Sequence, residues 1–121
     1  MTDKMQALNS FWNGFGWKAY DENTVPEEAP LPYITYEAVS DDFGHEVALT
    51  ANLWERSSSW AGVTAKEKDI ASYITRGGVL VQYGTAAFWL KKASPWAQRA
   101  ETNGDADVRR IILNISIEYL D

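Results

Sequence analysis

Over residues 110–119 the side chains alternate in character. Ile111, Leu113, Ile115, Ile117 and Tyr119 recur at every second position. Arg110, Asn114, Ser116 and Glu118 fall between them, with Ile112 the exception. A period of two turns successive side chains to opposite faces of an extended chain, so this run fits a strand with one buried face. An exposed edge of this length and apolarity invites aggregation, which predicts a central place in a sheet. The chain therefore needs partner strands on both sides and a layer to cover the apolar face.

The same period marks a second strand. In residues 46–54, Val47, Leu49, Ala51 and Leu53 alternate with Glu46, Ala48, Thr50 and Asn52. Upstream, Ile34, Tyr36 and Ala38 share a face, with Thr35 and Glu37 opposite. Ser40-Asp41-Asp42-Phe43-Gly44-His45 between these runs has the composition of a turn, so a hairpin is the simplest connection. A second hairpin is predicted from residues 79–83 and 86–91, joined by Gly84-Thr85.

Helical spacing appears twice. Residues 1–20 read as an amphipathic helix, with Thr2 or Asp3 as its cap, Met5, Leu8, Trp12 and Phe15 on one stripe, and Gly14 and Gly16 weakening its end. Thr64-Ala65-Lys66-Glu67 has the form of a capping box, which predicts a helix over residues 65–76 with Ile70, Tyr73 and Ile74 inward. Gly77-Gly78 ends it. Residues 21–32, with three prolines and four acidic side chains, read as a connecting loop. Residues 93–107, polar and turn-rich around Asn103-Gly104-Asp105, read as a long loop carrying Trp96. The predicted order is α–β–β–α–β–β–β: one α+β domain spanning residues 1–121, a mostly antiparallel sheet with helices on one face.

Composition narrows the chemistry. The chain has no cysteine, so disulfides and thiolate metal sites are excluded. It has no apolar run long enough to span a membrane as a helix and no leader pattern, which predicts neither anchor nor signal peptide. The net charge of −6 and the scarcity of adjacent basic residues, Lys91-Lys92 and Arg109-Arg110 alone, argue against sequence-specific nucleic-acid binding. The cluster Asp41-Asp42-Phe43-Gly44-His45-Glu46 could hold a metal or serve acid–base chemistry. His45 is the only histidine, however, and extended neighbours point apart, so a solvated turn is expected. Ser57-Ser58-Ser59 lacks the context of an activated nucleophile. No catalytic residue, cofactor or metal is expected.

Six tryptophans in 121 residues exceed what so small a core can enclose. Trp54, Trp60 and Trp96 are the candidates for a protein interface, where tryptophan anchors are enriched. A sugar-binding surface remains open if several rings stand exposed and coplanar.

The runs TYEAVSDDFG and EVALTANLWERSSSW, followed by RGGVLVQY, AFWLKKASPWAQR and RRIILNISIEYLD, resemble in the same order the small tail terminator (tail-completion) proteins of siphophages and related prophages of Gram-positive bacteria. The resemblance covers residues 31–121. It implies a structural, non-enzymatic virion protein assembled in the host cytoplasm. Such a protein forms a homo-oligomeric ring, commonly a hexamer, at the head-proximal end of the tail. Its implied partners are the tail tube protein and a head-completion or connector protein, with genomic DNA passing nearby unbound. A channel for DNA should repel phosphate. Asp41, Asp42, Glu101, Asp105 and Asp107, together with the acidic residues of 21–28, are therefore the candidates to face its lumen. The alternatives are another head–tail connector or minor tail subunit, or a small carbohydrate-binding or hydrolytic module.

Overall fold

The computed structural model describes residues 4–39, 45–84, 86–102 and 107–120. The elements are α1 (Lys4–Asn13), β1 (Lys18–Asp21), β2 (Tyr33–Tyr36), β3 (Glu46–Arg56), α2 (Ala61–Ile74), β4 (Val79–Tyr83), β5 (Ala86–Ala100) and β6 (Val108–Tyr119). The strands form one six-stranded sheet in the order β1-β2-β3-β6-β5-β4. β1 and β2 run parallel; every other neighbouring pair is antiparallel. The α+β class expected from the sequence holds, and β6 is central, between β3 and β5.

The alternation assigns the faces correctly. Leu49, Ala51 and Leu53 of β3 and all five odd-numbered apolar residues of β6 from Ile111 to Tyr119 are buried. They meet Leu8 and Trp12 of α1 and Val63, Ile70 and Ile74 of α2 in one hydrophobic cluster. Full burial of side chains of this size contributes about 1.5–3 kcal/mol each. Both helices lie on this face. α1 is tied to β2 by Asn9, whose Nδ2 donates to the Tyr36 hydroxyl at 2.7 Å. Burial raises the Tyr36 pKa, and the Asn9 hydrogen bond partly opposes the rise.

Four local expectations are corrected. The N-terminal helix stops at Asn13 instead of running to residue 20. The Asn13 side chain ends it by pairing with Ala19 in both directions: Oδ1 accepts from the Ala19 N–H at 2.9 Å and Nδ2 donates to the Ala19 carbonyl at 3.2 Å. An amide side chain here stands in for a strand neighbour, and β1 begins beside it. The chain thus has a strand that periodicity does not reveal.

The second correction is the start of α2. Thr64 is not its cap but lies inside the first turn, its N–H donating to the Trp60 carbonyl at 3.0 Å. The serines before the helix stage its entry instead. Ser57 Oγ accepts from the Ser59 N–H and Ser59 Oγ from the Ala61 N–H, both at 3.0 Å. The third is the helix end, where Thr75 takes the positive φ of 61° at the cap and Gly78 follows at 89°.

The fourth is the largest. Most of the stretch expected to be a loop, residues 93–107, belongs to β5, which continues to Ala100. The register steps from Lys92↔Ile115 to Ala97↔Leu113, so five positions on β5 match two on β6. This bulge admits Pro95, whose carbonyl accepts from Asn114 Nδ2 at 2.9 Å. It also switches parity: Phe88, Leu90 and Lys92 share the helix-bearing side before it, Ala97 and Arg99 after it.

Candidate interaction surface

Among the described residues no helix packs on the other face of the sheet, and the strand register lays its side chains out in rows. One row runs Lys18, Tyr33, Trp54, Arg110, Ala100 across β1, β2, β3, β6 and β5. The next runs Tyr20, Thr35, Asn52, Ile112, Gln98. Alternation puts Trp54 here because Leu53 and Glu55 point to the helices.

The two rows interlock. Trp54 Nε1 donates to Thr35 Oγ1 at 2.9 Å, and Arg110 Nε donates to Asn52 Oδ1 at 2.8 Å. The Arg110 guanidinium lies 4.8 Å from the Trp54 ring centre. Tyr33 meets Trp54 at 6.5 Å and Tyr20 meets Tyr33 at 5.7 Å, with Lys18 Nζ 5.9 Å from the Tyr20 ring. Thr35 and Asn52, each 6% exposed, are thus buried by side chains alone. The result is an aromatic and cationic floor in which Trp54 is already hydrogen-bonded to Thr35 and Arg110 to Asn52, the composition favoured at protein interfaces. It is not a flat platform for sugar rings: Tyr33 and Trp54 are inclined by 48°, Tyr20 and Tyr33 by 84°.

Further along the same face the character becomes ionic. Ser116 Oγ donates to Glu46 Oε1 at 2.6 Å, and Lys91 Nζ lies 3.1 Å from the same oxygen. The Ser116 hydrogen bond, and after it Lys91, hold the Glu46 carboxyl below its usual range. Glu37 Oε1 accepts from both the N–H and the hydroxyl of Thr50, at 2.6 and 2.7 Å.

The three candidate tryptophans do not form one patch. Trp54 is on the helix-free face. Trp60 stands at the entrance to α2 on the other face, with the Arg99 and Arg109 guanidiniums 4.6 and 5.4 Å from its ring. Trp96 is half-buried against the core in β5, its Nε1 donating to Glu67 Oε2 at 3.1 Å and Lys92 Nζ 5.9 Å from its ring. Of the acidic candidates, Glu101 and Asp107 are exposed at the connection between β5 and β6. Asp41, Asp42 and Asp105 lie outside the described residues. His45 and Glu46 are exposed, and among the described residues no three of His, Cys, Asp and Glu are grouped to hold a metal.

Sequence reasoning did not single out Tyr20, Tyr33 and Arg110 as partners of Trp54. Tyr33 and Arg110 could be found only through the register, and Tyr20 only once β1 was known. A third feature also went unseen: a groove of about 490 Å³ between α1, α2 and the β4 edge, where Phe11, Phe15 and Tyr73 meet edge-on or tilted. Tyr73 and Leu80 are exposed there, at 56% and 44%. No protein-family model, curated protein or solved structure matches the chain.

Proposed function

We propose that this chain is a structural protein of a bacteriophage tail. In this reading it is a tail terminator that assembles as a ring, commonly a hexamer, on the head-proximal end of the tube, stops its polymerisation and docks the head connector. The observation that carries the reading is the ordered resemblance over residues 31–121, which takes in β2, β3, α2, β4, β5 and β6. Shape and association perform such a function, with no cofactor and no reacting group.

The sheet's helix-free face supports this reading. Trp54, Arg110, Tyr33 and Tyr20 are fixed to one another before any partner arrives, so docking costs little side-chain ordering. That preorganisation suits a surface that must close rapidly on a growing tube end. Glu101 and Asp107, exposed on one connection, are among the described candidates for a lumen that repels DNA; converting them to Gln and Asn should slow genome ejection at low salt.

The test is the particle itself. Native mass and end-on electron microscopy of the purified protein should show a closed ring, and the protein should cap isolated tail tubes at one end. A ring that binds the head connector but not tube ends would assign the chain to the connector side of the junction.

A further inference from the structure

Charge is divided along this chain, and the strand order turns that division into a lateral one. Residues 1–56 hold ten acidic and three basic side chains, residues 57–121 seven and eight. β1, β2 and β3 make one half of the sheet; β6, β5 and β4 make the other. On the strands themselves, β1, β2 and β3 carry Asp21, Glu46 and Glu55 against Lys18 and Arg56, whereas β6, β5 and β4 carry Lys91, Lys92, Arg99, Arg109 and Arg110 against Glu118.

Two sets of side chains mark the extremes. The crossover from β1 to β2, residues 22–32, contains no basic residue, and its Glu22, Glu27 and Glu28 are exposed. Across the sheet, a pocket of about 400 Å³ is lined by Trp60, Ala61, Thr64, Ala65, Lys68 and Arg99. Lys68 and Arg99 are exposed, no acidic side chain lines the pocket, and neither has a carboxylate partner among the described residues. The Arg99 guanidinium lies 4.6 Å from the Trp60 ring, which orients it without neutralising it. Arg109, on the same ring, is anchored by donating to the Ser58 carbonyl at 2.9 Å.

The geometry points to a head-to-tail contact between copies of this chain: the acidic crossover of one copy seats in the Trp60–Lys68–Arg99 pocket of the next. The inference rests on the ring reading and names the contact that would build the ring. Within one copy the two surfaces are kept apart, because β3 and β6 stand between the crossover's strands and β5, about 14 Å at the usual strand spacing. A planar guanidinium already held on an indole is suited to take a carboxylate through two parallel hydrogen bonds. Pro26, Pro30 and Pro32 stiffen the crossover, which lowers the ordering cost of docking. A contact between two different surfaces of the same chain propagates around a rotation axis and closes when the angle permits.

Charge reversal tests this. One variant carries Lys68→Glu and Arg99→Glu; the other carries Glu22→Lys, Glu27→Lys and Glu28→Lys. Sedimentation velocity at low salt should find the wild type assembled and each variant alone monomeric. An equimolar mixture should assemble again, because every contact between unlike copies is then complementary. The recovery also shows that both variants fold. Variants that assemble like the wild type would overturn this contact and leave the ring reading standing. A mixture that stays monomeric would overturn the pairing. A wild type that is monomeric would overturn the contact and the ring together.

Discussion

Arg110 covers Trp54. The two residues face each other directly in the register of β3 and β6, the guanidinium 4.8 Å from the indole centre. From that position Arg110 also reaches Asn52, one step along the neighbouring strand. One side chain thus screens a large ring and satisfies a buried amide on a face that no helix of the described residues covers.

Replacing Arg110 should therefore destabilise the free chain as well as alter its surface. Arg110→Ala leaves the Asn52 carbonyl without its donor and exposes Trp54, a loss of about 1–3 kcal/mol in urea unfolding. Arg110→Lys should recover less than half of it, since an ammonium cannot both lie flat on the ring and donate sideways. Full recovery by Lys would show that charge alone matters at this position.

Trp96 behaves differently in the fold than its sequence context suggests. Read as a loop anchor, it should matter for assembly and little for stability. Its place in β5, packed on the core and bonded to Glu67, gives the opposite expectation. Trp96→Ala should cost about 2–3 kcal/mol of stability, and Trp96→Phe, which keeps a ring but loses the donor, about 1 kcal/mol. A melting temperature unchanged in Trp96→Ala would contradict this placement.

Gly62 faces the Glu55 carboxylate. A Cβ at residue 62 would meet the end of the Glu55 side chain, which is flexible enough to move aside. Gly62→Ala should therefore stabilise the wild type by less than the about 0.5–1 kcal/mol expected from the better helix propensity of alanine. In a Glu55→Ala background the full gain should appear. The difference between the two backgrounds in this double-mutant cycle is the measurement; equal gains in both would show no conflict at this contact.

Glu46 provides a pH test. Its carboxyl is held below the ordinary range, first by Ser116 and then by Lys91. A carboxyl depressed in the folded state contributes stability above its unfolded pKa, and that contribution is lost as pH falls through the folded value. Carboxyl NMR titration should show the Glu46 midpoint rising in both Ser116→Ala and Lys91→Met. An unmoved midpoint in Ser116→Ala would contradict the hydrogen bond as a cause.

Much of the sheet could be read in advance, and its failures have physical reasons. β3 and β6 are long and bury mainly one face, so alternation marks both. β1 is four residues long, and its only buried side chain is Ala19. Its position is fixed by the Asn13 side chain, a tertiary contact with no periodic trace. The far half of β5 was hidden by the bulge: once parity switches between Lys92 and Ala97, polar and apolar residues no longer alternate in one phase, and Pro95 adds a loop signal. The start of α2 was misplaced because Thr64 and Glu67 fit a capping box that Ser57 and Ser59 make unnecessary.

The interaction surface was legible only in part. Trp54 falls on the polar side of its strand by simple counting. Its setting among Tyr33, Arg110 and Asn52 depends on which strands flank β3, and a single strand's pattern does not carry that information. The separation of Trp54 from Trp60 and Trp96 follows from the same cause, since Trp60 precedes a helix and Trp96 sits beyond a change of phase.

We propose that this chain works as a ring. End-on electron microscopy combined with native mass spectrometry of the purified protein tests it most directly. Closed rings of a single subunit number, commonly six, with an open centre are expected. A protein that stays monomeric at high concentration and low salt, both alone and with isolated tail tubes, would contradict it.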